Sequence, residues 1–335
     1  MGPVSLSIVA PCYNEEANLA ALHARVAAVA QAVAPDDYEI VLVNDGSSDG
    51  SWEIMQELAR HEERVLAINL SRNHGHQLAL TAGLDLCSGA RILIIDADLQ
   101  DPPELLPAMV AQMEVSGADV VYGVRRARAG ETALKRSTAK IFYRGMSRLA
   151  SIDIPRDTGD FRLMSRRALD ALLSLPEQAR FIRGMVAWIG FRQLPFLYDR
   201  ASRHAGRSHY SWSKMVRFAL DAVTGFSTAP LRLASHFGLI LIGGLMLLMT
   251  YIAIRWLTGN VVPGWTSLMV VIVLLGAAQM LVLGLIGEYL GRLFIEAKRR
   301  PLYIVSEIAG RAGGTPQHGY LALPAAADFG QSLDG

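Results

Sequence analysis

The chain has 335 residues, 51% of them hydrophobic, with 32 Lys and Arg against 31 Asp and Glu for a formal net charge of +1. That length allows one large domain or two smaller ones, and the near-neutral balance gives no reason to expect a nucleic-acid partner. The positive mean hydropathy (+0.27) is high for a soluble α/β protein, and its source is one stretch, Ala234 to Gly287.

Met1 to Ala10 lacks a basic start and a full apolar core, so it reads as a strand and not as a secretion signal. The strand runs into Pro11-Cys12-Tyr13-Asn14-Glu15, and an Ala/Leu-rich helix follows from about Glu16 to Val33. Glu39 to Val43 is a second buried strand, ending in Asn44-Asp45-Gly46-Ser47-Ser48-Asp49, which is turn chemistry followed by helix-capping residues. A third strand, Val65 to Leu70, leads through Asn73-His74-Gly75-His76 into a helix from about Gln77. Cys12 and Cys87 fall in a strand end and a helix, with no Cys or His at metal spacing; they read as reduced packing thiols.

Arg91 to Ile95 is a β-branched run suited to a strand buried on both faces. It delivers Asp96, Asp98 and Gln100 to a C-terminal strand end, where open α/β sheets place their ligands, and Pro102-Pro103 then opens a helix. Two carboxylates one residue apart suit a hard divalent cation that also holds a diphosphate. Taken alone, the same D-x-D is also an ordinary solvated strand end. Asp119 to Gly123 is a fifth strand, followed by the basic run Arg125, Arg126 and Arg128, for which a solvated face is the default reading. Asp157 to Arg162 is expected to open a helix containing Met164 to Leu173. Strands alternating with helices predict a mostly parallel sheet with its polar loops converging at one edge.

From Ser211 to Gly225, Lys214, Arg217, Asp221 and Thr224 fall on one helical face and Met215, Phe218, Ala219 and Ala222 on another, the pattern of an amphipathic helix lying in a membrane interface. Two uncharged runs follow, Phe237 to Ile254 and Trp265 to Gly287, each long enough to cross a hydrocarbon core of about 30 Å. Arg217 and Arg232 precede the first and Arg292, Lys298, Arg299 and Arg300 follow the second, which predicts a hairpin with both ends cytoplasmic. The Gly/Ala/Pro-rich segment from Gly310 to Gly335 is expected to be disordered.

Five pieces in order, Pro11 to Glu15, Val43 to Asp49, Asn73 to Gln77, Asp96 to Glu104 and Thr158 to Arg162, carry a family resemblance. The chain resembles the family 2 glycosyltransferases of GT-A fold, specifically the membrane-anchored polyprenyl-phosphate glycosyltransferases. The resemblance implies an α/β, Rossmann-like nucleotide-sugar domain over 1–210 and an interfacial amphipathic helix over 211–232. It is followed by a transmembrane hairpin over 233–290 (spans about 237–256 and 265–287) and a cytoplasmic segment over 291–335.

For the site, the resemblance implies that Pro11, Tyr13, Asn14, Glu15, Asp45, Ser47, His76, Asp96, Ala97 and Asp98 bind the nucleotide sugar. Asp45 would accept a uracil N–H, since a carboxylate is acceptor-only. A Mg²⁺ or Mn²⁺ ion would be held by Asp98 with Gln100 and Asp96. Arg125, Arg126, Arg203, Arg207 and Ser208 would meet the acceptor phosphate and the diphosphate. Asp160, Asp98 and Arg125 would be the catalytic group, with Asp160 either a base or a positioning group.

The implied reaction is an inverting transfer of a hexose to undecaprenyl or another polyprenyl phosphate at the cytoplasmic face of the inner membrane. Glucose from UDP-glucose is the first choice of donor, with UDP-GlcNAc, UDP-amino-arabinose and GDP-mannose open; a homo-oligomer is also left open. Two rival readings are a processive polysaccharide synthase and a non-enzymatic membrane scaffold. A processive polysaccharide synthase carries Q-x-x-R-W, but here Ile252 stands three residues ahead of Arg255-Trp256. A non-enzymatic scaffold fits poorly with the intact Asp45, Asp96, Asp98 and Gln100.

Overall fold

The structure is a computed structural model that describes residues 4–125, 158–199, 229–258, 264–310 and 319–321. It divides into two compact units, one holding a sheet with its covering helices and the other the two long C-terminal helices. The expected interfacial helix, Arg126, Arg203, Arg207 and Ser208 lie outside the described residues.

In the first unit, β1 (Leu6–Cys12) and β2 (Tyr38–Asn44) are buried at every position, as expected of strands covered on both faces. They lie parallel to β3 (Val65–Leu70) and β4 (Arg91–Ile94), with Val9 opposite both Val41 and Ile94. Their C-terminal ends therefore meet at one edge of the sheet. Helices α1 (Glu16–Val33), α2 (Ser51–His61), α3 (His76–Leu86) and α4 (Leu106–Ser116) make the crossovers, α4 being preceded by a 3₁₀ turn at Pro103–Leu105. The fifth strand, β5 (Val120–Arg125), runs two residues further than expected, to Arg125.

The Thr158–Arg162 motif does not open a helix. Thr158–Ser165 is a strand, β6, inserted antiparallel between β4 and β5. Phe161, Leu163 and Met164 are all buried there, so the segment gains more from a central strand than from a helix with one apolar face. The helix begins one residue later, as α5 (Arg166–Leu173), with the Ser165 hydroxyl accepting from the Ala168 N–H as its cap. A short α6 (Ile182–Trp188) and the edge strand β7 (Gln193–Tyr198), parallel to β5, complete this side.

On the far edge the chain does something the sequence pattern did not announce. After the second long helix it returns as β8 (Tyr303–Ala309), antiparallel to β3, and β9 (Gly319–Leu321) pairs parallel to β8. Disorder from Gly310 onward therefore does not hold at 319–321, where the backbone bonds of an otherwise open edge strand are satisfied. Tyr303 is fully buried and donates to Asp85 Oδ2 at 2.7 Å, and Glu307 accepts from Trp52 and Gln56 of α2 at 3.2 and 2.7 Å. Among the described residues the sheet has nine strands in the order β7-β5-β6-β4-β1-β2-β3-β8-β9.

The second unit contains α7 (Ala229–Leu257, 29 residues) and α8 (Trp265–Lys298, 34 residues), about 44 and 51 Å long. Their apolar windows, within His236–Arg255 and Val271–Lys298, are long enough to cross a membrane and are not buried against protein; Leu247, for instance, is 75% exposed. This is the opposite of a soluble protein's core helix. The second helix continues eleven residues past Gly287, adding the Glu288–Arg292 ion pair at 3.3 Å, and ends at a left-handed Arg299 followed by Pro301.

Candidate active site

The first two loops at the sheet edge are tied to each other. Asn14 adopts a left-handed conformation (φ 55°) that lets its N–H donate to Ser47 Oγ at 2.9 Å while its own Oδ1 accepts from the Ser48 N–H at 2.8 Å. The Glu15 N–H donates to Ser51 Oγ at 3.0 Å. Tyr13 is left half-exposed at the rim, while Pro11 is buried in β1. Gly46 must be glycine: it has φ +64°, and a Cβ there would stand 2.5 Å from the Arg72 and Asn73 backbone. That close approach brings the loop after β3 onto Asp45. The Asp45 carboxylate, 2% exposed, accepts from the His74 N–H at 2.7 Å and the Gly75 N–H at 3.0 Å. Burial raises its pKa, and the two N–H groups pull it part of the way back.

The loop after β4 is built differently. Among the described residues Asp96 Oδ1 is buried with no hydrogen-bond partner, and the His76 Nε2 lies 3.6 Å from it. Burial, reinforced by Asp160, Asp101 and Asp98 and opposed by His76, pushes the Asp96 carboxyl up to about 6. Ala97 is buried behind it. Asp98 Oδ1 accepts from the Gln100 N–H at 3.1 Å across a left-handed Leu99 (φ 58°), a conformation that costs a non-glycine residue about 1–3 kcal/mol. Gln100 and Asp101 turn inward and are buried.

Asp160, on β6, lies close to Asp96 and is bonded through both oxygens. It accepts from Arg183 Nε at 2.9 Å and Nη2 at 3.3 Å and from Gln77 Nε2 at 3.1 Å. The His76 Nε2 lies 3.0 Å away, and Arg162 at 3.8 Å. Burial alone would raise its pKa, but these bonds and charges hold it well below the usual carboxylate range. For His76, burial is outweighed by the Asp160 bond and the Asp96 charge, so its pKa is raised.

Ligand atoms of His76, Asp96 and Asp160 lie within 4.8 Å of one another, a group that could hold a metal ion. It shares only Asp96 with the expected set of Asp98, Gln100 and Asp96. Asp160 already spends both oxygens on Arg183, His76 and Gln77. The unsatisfied oxygen of Asp96, beside the partly exposed Asp98, fits a hard divalent cation; the bonded Asp160 fits one less well.

At the end of β5, Arg125 Nε donates to the Tyr198 hydroxyl at 3.4 Å, Arg125 Nη2 lies 3.6 Å from Asp101 Oδ2, and the Tyr198 hydroxyl donates to Asp101 Oδ1. Four residues that shape the site were not singled out from sequence: Gln77, Asp101, Arg183 and Tyr198. Gln77 and Asp101 stand inside quoted motifs, and Arg183 is a lone cation within Phe181-Ile182-Arg183-Gly184-Met185, a placement that asks for a buried counter-charge.

The glycosyl transferase family 2 model matches residues 7–173. The chain is 44% identical over 308 residues to the uncharacterized glycosyltransferase YkcC of Bacillus subtilis, covering 92% of this chain and 95% of that one. It is 38% identical over 303 residues to the bactoprenol glucosyl transferase of Shigella phage SfV, covering 90% and 98%. A solved structure, glucosyl-3-phosphoglycerate synthase from Mycobacterium tuberculosis with Mn²⁺, UDP-glucose and phosphoglyceric acid, aligns at TM-score 0.44 and 20% identity over 66% of this chain and 78% of that one. The chain belongs to glycosyltransferase family 2, and it is a glycosyltransferase.

Proposed function

We propose that this enzyme transfers glucose from UDP-glucose to the phosphate of a polyprenyl phosphate, undecaprenyl phosphate in the first instance, with inversion at the anomeric carbon. The observation that carries the reading is the 38% identity to a bactoprenol glucosyl transferase over 90% of this chain and 98% of that one, a length that includes both apolar helices.

In this reading the Asn14, Ser47 and Asp45 loops hold the nucleotide, and Asp96 with Asp98 and Gln100 would hold Mg²⁺ or Mn²⁺. When bound, such an ion supplies charge neutralisation to the departing diphosphate. The acceptor is a phosphomonoester with a second pKa near ~6, already mostly dianionic at neutral pH, and scarcely needs a base. A carboxylate held low and bonded on both oxygens is a weak proton acceptor, so of its two open roles Asp160 takes positioning: it fixes His76, Arg183 and Gln77 around the sugar.

The catalytic unit would lie on the cytoplasmic face. The chain leaves that unit before α7 and rejoins its sheet at β8, so an even number of crossings is required. Arg292, Lys298, Arg299 and Arg300 beyond the second apolar run favour the cytoplasmic side.

Purified full-length protein is assayed with undecaprenyl phosphate, a panel of radiolabelled donors and either ion. Butanol-extractable label from UDP-glucose is expected, and Asp98→Asn is expected to reduce it at least about a hundredfold. Label from UDP-GlcNAc, UDP-amino-arabinose or GDP-mannose instead would reassign the donor, and label in polymer or in nothing would overturn the reading.

A further inference from the structure

We propose that Asp101 and Tyr198 are a positioning pair that fixes Arg125 to meet the acceptor phosphate, and that residue 159 is glycine because Arg125 lies across it. The inference rests on the reading of the acceptor as a phosphate.

Asp101 follows Gln100 directly, yet its side chain is 0% exposed. A carboxylate taken that far out of water needs bonded partners. Two of its partners come from other strands. Tyr198, 4% exposed at the end of β7, gives its hydroxyl proton to Asp101 Oδ1, and Arg125 brings its charge to 3.6 Å from Asp101 Oδ2. Arg125 and Tyr198 are register partners on the parallel β5 and β7, so the three groups are set by the sheet and not by loop chance. Tyr198 is itself wedged edge-on against Phe161, centroids 5.6 Å apart.

The donors run in one direction, from Arg125 Nε at 3.4 Å to the Tyr198 oxygen and from the Tyr198 proton to Asp101. Each group thereby fixes the orientation of the next. Burial and the Asp101 charge raise the Tyr198 pKa, which keeps that hydroxyl a donor. A guanidinium has five N–H donors, so two contacts do not exhaust it, and its 30% exposed side chain still reaches solvent. Its planar fork is the group best matched to phosphate oxygens.

Gly159 supplies an independent observation. A Cβ there would stand 2.7 Å from Arg125 Nη2 and 3.5 Å from its Cζ. The arginine therefore occupies the space a side chain would take. Because Asp101 belongs to the same loop as Asp96 and Asp98, the loop that would hold the donor and the arginine that would receive the acceptor become one assembly.

The test uses the full-length enzyme with undecaprenyl phosphate and whichever donor the panel identifies, comparing Tyr198→Phe, Gly159→Ala, Arg125→Ala and the Tyr198→Phe/Arg125→Ala double variant. Tyr198→Phe and Gly159→Ala should each raise the KM for the lipid about tenfold while leaving the donor KM within about twofold. The double variant should be no worse than Arg125→Ala alone, because Tyr198 acts through the arginine. Independent multiplication of the two effects, a rise in donor KM instead, or an unmoved lipid KM in Arg125→Ala would each overturn the inference. Gly159→Ala guards against misfolding as an explanation, since it removes neither member of the Asp101–Tyr198 bond and its Cβ would meet Asp101 Oδ2 only at an ordinary 3.7 Å. If the wild type makes no lipid-linked sugar from any donor, the parent reading fails; if it does and the lipid KM ignores these variants, only this inference fails.

Discussion

Two carboxylates sit at the ends of neighbouring parts of the same sheet and are treated in opposite ways. Asp45, after β2, is buried and has its oxygens taken by the His74 and Gly75 backbone N–H groups. Asp96, after β4, has one buried oxygen that no hydrogen bond from the described residues reaches and a carboxyl pushed up to about 6. A satisfied buried carboxylate organises the protein around it; an unsatisfied one is unfavourable until something arrives to pair with it. The contrast separates a carboxylate already paired within the fold from one left to be paired by a ligand.

The largest effects come from removing each acid in turn. Asp45→Ala and Asp96→Asn should both lower turnover by at least about a hundredfold. Stability should separate them. Asp45→Ala leaves two partly buried N–H groups without that acceptor, an expected loss of about 1–3 kcal/mol in the metal-free protein. Asp96→Asn removes an unfavourable charge and should leave the melting temperature unchanged or higher. If both variants lose stability equally in detergent-solubilised protein without divalent ions, the distinction between the loops is wrong.

The placement of Asp45 and Asp96 at the sheet edge is legible because it is local, although their bonding partners are not. Buried runs such as Ile40 to Val43 and Ile92 to Ile94 declare strands, and the polar residues just after them must fall at the sheet edge. The Thr158–Ser165 strand was misread because five motif residues carry no decisive periodicity; its state is set by the gap it fills between β4 and β5. Arg183 and Tyr198 were missed since their partners Asp160 and Asp101 lie 23 and 97 positions away, where no spacing rule operates. The β8 strand was hidden more deeply still. Tyr303 to Ala309 looks like a short tail after a membrane helix, and only the open edge of β3 gives it a place.

A smaller effect tests the pairing of Asp96 by titration. A carboxyl whose folded pKa is raised contributes stability that is fully present below its unfolded pKa, near ~4, and lost as the pH rises through the folded value of about 6. The metal-free wild type should therefore melt below Asp96→Asn at pH 7.5, by the equivalent of about 1–2 kcal/mol after discounting for partial exposure. The gap should close by pH 5. Millimolar Mg²⁺ or Mn²⁺ at pH 7.5 should raise the wild type alone, since a ligand that binds only the folded state stabilises it by mass action. Equal responses of wild type and variant to the ion would move the cation site away from Asp96.

The smallest effect asks how far the completeness of the Asp45 loop depends on the strand that follows the membrane helices. The Ser71 N–H, at the start of that loop, donates to the Ile304 carbonyl at 2.9 Å, and Tyr303 anchors β8 to α3 through Asp85. Tyr303→Phe keeps the ring that fills the core and removes only the hydroxyl, so it should destabilise by about 1 kcal/mol. If β8 braces the loop, the same variant should raise the donor KM about two- to threefold and leave the lipid KM alone, because Arg125 and Asp101 lie at the other end of the sheet. A matching rise in both constants would instead mean that the sheet transmits the loss as a whole, and that the two acidic loops do not behave as separate devices.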